Sequence, residues 1–406
     1  MKEYMSRNEK LILAIFSGLA FTNAISLVFV NMYLYRYLEG IAELTVFNLF
    51  QFGIMPIGFY VAGHAANRIG NKRTLLVGLF AFILFYALLL VLGERSARYL
   101  YLLGGVNGLA NGVFWFSFNI LLTRITRDAT RGRFFAWFGA LGSGASALAP
   151  MVSTLLLEIS PTLETGYFRL FGFVVAVSVA IGAIGLALTV EERPERFSVL
   201  DKFLPGKEEG WRFVILVNLV YGVREGANWS ILSVLVLKAA GNDVRAGTLS
   251  ILFALVGAAA NILGGRFFGP RRSLAFWGWG SMAALGASVL LVAHPTPVGA
   301  AIAGSVWRAA DALVILPFNV ALFGVLSAYE KKEGGIAGRN IAMETVLNLG
   351  RTLGSLAFLL LSYATPFYAE ILFPVVSLAF PVSFLIYRRF SISARSILSG
   401  EPPQTT

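Results

Sequence analysis

Long apolar runs organise this sequence. Polar residues interrupt them in short bursts and do not alternate with apolar ones at every second position. Runs of spanning length fall near 11–35, 44–62, 74–93, 99–122, 134–157, 168–190, 213–237, 246–265, 274–293, 298–325, 340–362 and 369–387. A membrane-crossing helix needs about 20 mainly apolar residues. A membrane-crossing strand would need a dyad alternation that is absent here. The pattern predicts an all-α integral membrane protein with twelve transmembrane helices. The charged start MKEYMSRNEK runs into apolar sequence without a small-residue cleavage pattern, so it reads as the entrance to the first span and not as a signal peptide.

The longest polar interruption is EERPERFSVLDKFLPGKEEGWR, Glu191 to Arg212, with proline and mixed charge. It predicts a cytoplasmic linker, with a short surface helix in it, that parts the spans six and six. The expected organisation is an N-terminal six-helix bundle at 1–190, a linker at 191–212, a C-terminal six-helix bundle at 213–390 and a cytoplasmic tail at 391–406. The halves echo one another at an offset of about 200 residues. GNKRTLL (Gly70 to Leu76) answers to GPRRSLA (Gly269 to Ala275), Phe118-Asn119 to Phe318-Asn319, and RGRFFA to AGRNIA. Three ordered matches at equivalent topological positions predict two pseudo-symmetric bundles related as parallel repeats.

Charge changes the picture in one respect. The chain has 33 Lys and Arg against 22 Asp and Glu, a net +11. With the N-terminus cytoplasmic, 24 of the basic residues fall on cytoplasmic ends and loops, 6 on the far side and 3 inside spans. That is the positive-inside asymmetry, so the excess reports topology in a lipid bilayer and not a nucleic-acid partner. Both termini are expected in the cytoplasm and the protein in the plasma (inner) membrane. There is no cysteine, hence no disulfide or thiolate metal site. His64 and His294 are isolated and read as surface residues; no metal and no cofactor is expected. No phosphate-cradling GxxxxGK[ST] occurs, so ATP-driven pumping within this chain is unsupported, and the linker is too short for a catalytic domain, so no enzymatic activity is expected. A monomer is expected.

Ionisable residues inside spans carry the functional signal, because each costs roughly 2.5–3.5 kcal/mol at a helix centre. All six fall in spans seven, ten and eleven: Arg224, Glu225, Arg308, Asp311, Glu344 and Arg351. At about 100° per residue, Asn218, Tyr221, Arg224, Glu225 and Asn228 share one side of span seven. Arg308, Asp311 and Asn319 share an arc of span ten, and Glu344, Asn348, Arg351 and Ser355 form a stripe on span eleven. Arg308 and Asp311 are expected to face water or one another. Glu344 with Arg351 is readable as a packing pair. Arg224 and Glu225, as chain neighbours, diverge on the helix and each need a partner elsewhere. Buried amides, among them Asn23, Asn48, Gln51, Asn107 and Asn111, also fall within the spans. Of the tryptophans within spans, Trp115 and Trp137 read as core, while Trp229 and Trp307 are placed to border a ligand.

The segment GHAANRIGNKR, Gly63 to Arg73, resembles the loop signature of the major facilitator superfamily, with Gly63, Arg68, Gly70 and Lys72 matching. Asn67 stands where that family has aspartate and Asn71 where it has a basic residue. Span count, linker and half-repeat extend the resemblance to the whole chain. It implies two six-helix bundles, a conformational latch at Gly63, Asn67, Arg68, Gly70, Lys72 and Arg73, a central cavity lined by the first helix of each three-helix group, and third helices facing lipid. It also implies secondary transport by alternating access, with the proton as coupling ion. The expected substrate is a small anionic, zwitterionic or amphipathic solute, with efflux by proton antiport favoured. Arg224, Arg308 and Arg351 are expected to hold its anionic groups while Asp311, Glu225 or Glu344 exchanges the proton; Tyr221, Asn228, Asn348, Asn319, Asn23, Asn107 and Asn111 complete the expected site. RxxQG of span four and the GPxxGG-like element of span five, found in drug/proton antiporters, are incomplete here: the arginine pattern lies in span ten as Arg308-Ala309-Ala310-Asp311. Two alternatives stand beside transport: a flippase for a lipid-linked molecule, and a non-transporting sensor or assembly partner with the same fold.

Overall fold

The computed structural model describes residues 4–35, 41–190, 195, 197–204, 208–241, 243–269 and 271–398; the side chains of 26–35, 41–44, 94, 154, 163, 229, 230, 233, 243, 244 and 392–398 lie outside the description, which takes in the expected roles of Trp229 and most of the tail. The chain separates into two compact units, Met1–Arg196 and Phe197–Thr406. Among the described residues nine helices are long and apolar enough to cross a membrane.

The first unit holds α1 (Arg7–Tyr35), α2 (Ile41–Ile69), α3 (Asn71–Leu92), α4 (Leu100–Ile125), α5 (Arg131–Glu158) and α6 (Leu163–Leu186). Its tightest pairing joins α2 to α4. Gly104, Gly108 and Gly112 recur every fourth residue, and a Cβ at Gly104 would come within 2.6 Å of the Phe47 carbonyl oxygen. Helices gain no hydrophobic drive toward one another in lipid, so close backbone approach through small residues is what holds such a pair.

The second unit contains a one-turn helix, α7 (Leu200–Phe203), then α8 (Glu209–Ala240), α9 (Asp243–Phe267), α10 (Ser273–Ala293), α11 (Pro297–Glu333), α12 (Ala337–Ala364), α13 (Tyr368–Ser377) and α14 (Ala379–Leu398). α1, α4 and α8, at 29, 26 and 32 residues, are also of spanning length. Several helices overrun their apolar runs: α11 continues to Glu333 because hydropathy marks only the part that avoids water, while helical hydrogen bonding goes on beyond it.

The last apolar run, expected as one span, is one candidate span interrupted at Leu378, where α13 gives way to α14. Pro381 explains the break. It has no N–H to give the Ser377 carbonyl four residues back, so the turn there cannot close.

The linker is fastened to its own unit. Trp211 Nε1 donates to the Lys202 carbonyl at 2.6 Å. Arg339, at the start of α12, is buried, lies 3.6 Å from the Tyr329 ring centre and pairs with Glu333 and, at 2.9 Å, Glu208.

Candidate functional site

Four of the six intramembrane charges meet in the second unit. α8 and α12 approach closely because Gly222 and Gly226 on one face Gly350 and Gly354 on the other; a Cβ at Gly350 would sit 2.6 Å from the Leu219 carbonyl oxygen. That approach brings Arg351 to Glu225, whose Oε2 receives both Nε and Nη2 at 2.8 Å. Arg351 Nη1 also donates to Asn348 Oδ1 at 3.1 Å, and the Asn348 amide donates back along α12 to the Glu344 carbonyl at 2.8 Å. Asn348 is fully buried, so both ends of its amide are used where an idle one would be costly.

A second pair ties α8 to α11. Arg224 Nη1 donates to Asp311 Oδ1 at 2.7 Å. The guanidinium lies 4.3 Å from the Tyr221 ring centre, 4.4 Å from Phe380 on α14 and 5.9 Å from Trp307. Tyr221 stacks in turn on Phe318 at 5.2 Å. Aromatic faces attract a guanidinium through their quadrupole, which offsets part of the cost of removing it from water. Arg224 is thus held independently of its carboxylate.

In both pairs the carboxylate is the more accessible member: 20% side-chain exposure for Asp311 against 5% for Arg224, and 27% for Glu225 against 16% for Arg351. Water, a proton or a ligand reaches the acid before the base. Three buried polar groups beside them have no hydrogen-bond partner within the described protein: Arg224 Nε, Trp307 Nε1, and both amide atoms of Asn228, one turn beyond Arg224.

These contacts correct parts of the sequence reading. Asp311 does not turn to Arg308; its partner is Arg224 on another helix, and Arg308 is exposed with its guanidinium 5.8 Å from the Trp307 ring. A three-residue spacing puts two side chains on one face but says nothing about what the neighbouring helix presents there. Arg351 likewise pairs with Glu225 on α8, and Glu344 is buried nearer the start of α12. Trp137 is 45% exposed and not core. Asn218 is buried with its amide donating to the Val214 carbonyl, and Asn319 is half-buried on α11. In the first unit, Asn111 donates to Asn107 Oδ1 at 3.0 Å on α4, and Asn23 is half-buried on α1. Phe380 was invisible beforehand, since its helix carries no charge in its apolar part to draw attention.

The latch segment has its own geometry within the first unit. Gly70 adopts φ 86°, which favours glycine and lets α3 start immediately after α2. Lys72 Nζ donates to the Leu186 and Leu188 carbonyls at 2.6 and 3.0 Å, where α6 ends. Gly63 is buried, while Arg68 and Arg73 are exposed. Asn67 Oδ1 accepts the Glu195 backbone N–H at 2.7 Å, and the Glu195 carboxylate pairs with Arg124 at the end of α4. A linker glutamate thus joins Asn67, through its backbone N–H, to Arg124, through its carboxylate. Lys72→Met is expected to lower the stability of this unit by about 1 kcal/mol, the usual value of a cation on a helix C-terminus, read as a lowered thermal midpoint in detergent.

Comparison with known proteins places this architecture. The sequence model of the Major Facilitator Superfamily matches residues 11–322. Similar curated proteins are the uncharacterized protein YqgE of Bacillus subtilis (strain 168), 26% identical over 340 residues covering 83% of this chain and 79% of the relative, and an uncharacterized protein in the sodM 3′ region of Geobacillus stearothermophilus, 31% identical over 157 residues covering 39% and 73%. Among solved structures, the E. coli fucose:proton symporter FucP is 15% identical with a TM-score of 0.69, covering 94% of this chain and 98% of its own. The human organic anion transporter MFSD10 (TETRAN) is 17% identical with a TM-score of 0.71, covering 94% and 100%. The proton:xylose symporter XylE, bound to 6-bromo-6-deoxy-D-glucose, is 13% identical with a TM-score of 0.72, covering 96% and 97%. At these identities the likeness is one of fold.

Proposed function

The chain belongs to the Major Facilitator Superfamily, and from that premise we propose that it is a proton-coupled secondary transporter of a small anionic or zwitterionic solute, working by alternating access in the plasma membrane with both termini cytoplasmic. The observation that carries this reading is the pair of intramembrane salt bridges whose acids, Asp311 and Glu225, are more accessible than their arginines.

The chemistry follows from charge. With both pairs intact the cluster is neutral and has no charge to offer a solute. A proton on Asp311 cancels its charge and leaves Arg224, still caged by Tyr221 and Phe380, with a free positive charge. An anionic group then binds where the carboxylate had been, within reach of idle donors at Arg224 Nε and Trp307 Nε1. The Asn228 amide supplies a donor and an acceptor for the rest of the solute. Proton and anion therefore bind together, and each raises affinity for the other by the same factor. This favours co-transport over the proton antiport that the sequence suggested. The solved relatives described as proton symporters, and the one described as an organic anion transporter, agree in kind with that coupling.

A thermal-shift screen of the purified chain against small organic anions, zwitterions and cations tests the reading. Stabilising compounds are expected to carry an anionic group and to act more strongly at mildly acidic than at mildly alkaline pH, by a factor within the 5–150-fold range usual for coupled sites. Arg224→Gln should abolish the effect. Hits confined to cations, or binding that strengthens as pH rises, would overturn it.

A further inference from the structure

Away from these ion pairs, the second unit has a cleft of about 290 Å³ between the start of α8 and the end of α14. Its inner wall is apolar, with Leu216 beside Phe213 and Phe390, whose rings stack at 4.5 Å. Its mouth carries Glu209, Arg212 and Arg389. Both arginines are exposed, and among the described residues neither has an ion pair or hydrogen bond from its side chain. α14 turns from the apolar Phe384-Leu385-Ile386-Tyr387 to the basic Arg388-Arg389, so the charges sit where an apolar run gives way to the membrane surface and the apolar wall lies just inside it.

We propose that this cleft is a binding site for an anionic phospholipid of the phosphatidylglycerol type. Two unpaired guanidiniums converge on the level of a phosphodiester, and arginine is the side chain best shaped to receive phosphate oxygens. The aromatic and aliphatic wall below takes the first acyl segments. Basic pockets between spanning helices recur as lipid headgroup sites on these grounds. Glu209 fixes the headgroup. Its carboxylate accepts hydroxyl hydrogens from a glycerol headgroup, and with one acid and two bases the cleft has one net positive charge, which a singly anionic lipid neutralises. A zwitterionic ethanolamine lipid would leave that charge uncompensated. An occupant here bridges the start of α8, the helix that carries Arg224 and Glu225 farther along, to α14, which carries Phe380 of the Arg224 cage.

Native mass spectrometry of the full-length detergent-solubilised protein, titrated with phosphatidylglycerol or phosphatidylethanolamine, tests this. One phosphatidylglycerol should be retained at least tenfold more tightly than phosphatidylethanolamine. Arg212→Gln/Arg389→Gln should weaken it about thirty-fold, from the usual value of a basic residue at an anionic surface. Arg271→Gln/Arg272→Gln, which removes the same charge from an exposed loop outside the cleft, should leave it nearly unchanged. If the glutamine pair does not fold, Arg212→Lys/Arg389→Lys substitutes for it and should bind several-fold more weakly than wild type. Equal affinity for both lipids, equal losses in the two glutamine variants, lysine variants that bind as tightly as wild type, or displacement of the lipid by millimolar inorganic phosphate would each overturn the proposal.

Discussion

Asp311→Ala is expected to destabilise the second unit by about 3–5 kcal/mol, the usual cost of stranding one member of a buried ion pair. The stranded group is Arg224, whose side chain is 5% exposed. Arg224→Leu should cost less, because Asp311 is reachable by water and can be hydrated or take up a proton once its partner is gone. The double variant Arg224→Leu/Asp311→Leu should recover most of the loss, since apolar groups often replace a buried pair at little cost. Thermal unfolding of the four proteins in detergent gives this order directly. The same set separates coupling from scaffolding: the double variant should be stable and yet fail to couple solute to protons. A double variant that is stable and still coupled would leave the pair with only a packing role.

The other large effect is steric. Gly226→Val should abolish recovery of folded protein, because its Cβ would be driven into the backbone of α12 at Arg351. Overpacking of ordinary side chains costs about 1–3 kcal/mol; here the obstacle is main chain, which cannot rotate aside. Gly286→Ala on α10 is the matched control, with no atom within 4 Å of the new Cβ, and should change stability by no more than about 0.5 kcal/mol. The readout is the monodisperse fraction on size exclusion together with the thermal midpoint.

The helical membrane fold was legible from hydropathy alone, because runs of twenty apolar residues have few other uses. The separate partners of Arg224 and Glu225 were also legible: neighbours on a helix point about 100° apart, so they could not serve one another. What remained hidden depends on contacts between helices. Arg308 and Asp311 share a face, yet the face of α8 opposite presents Arg224, and no spacing within α11 reports that. Phe380 lies in an apolar helix where one ring looks like any other until α14 packs against α8. Glu195 was one of several charges in a linker without periodicity, and only its approach to Asn67 and Arg124 distinguishes it. The break at Leu378 was recoverable from Pro381 but masked by an unbroken apolar run. The glycines of α8 and α12 could have signalled the closest helix pair, since Gly222 and Gly226, like Gly350 and Gly354, are spaced four apart.

The most direct test of the account is proton movement in liposomes containing the purified protein and a pH-sensitive dye, with an anionic hit from the stability screen added outside. Wild-type vesicles should acidify inside as the anion enters, Asp311→Asn and Glu225→Gln should each reduce that flux, and the two together should eliminate it. Anion-dependent proton flux that persists undiminished in the combined variant would contradict the claim that these carboxylates carry the proton.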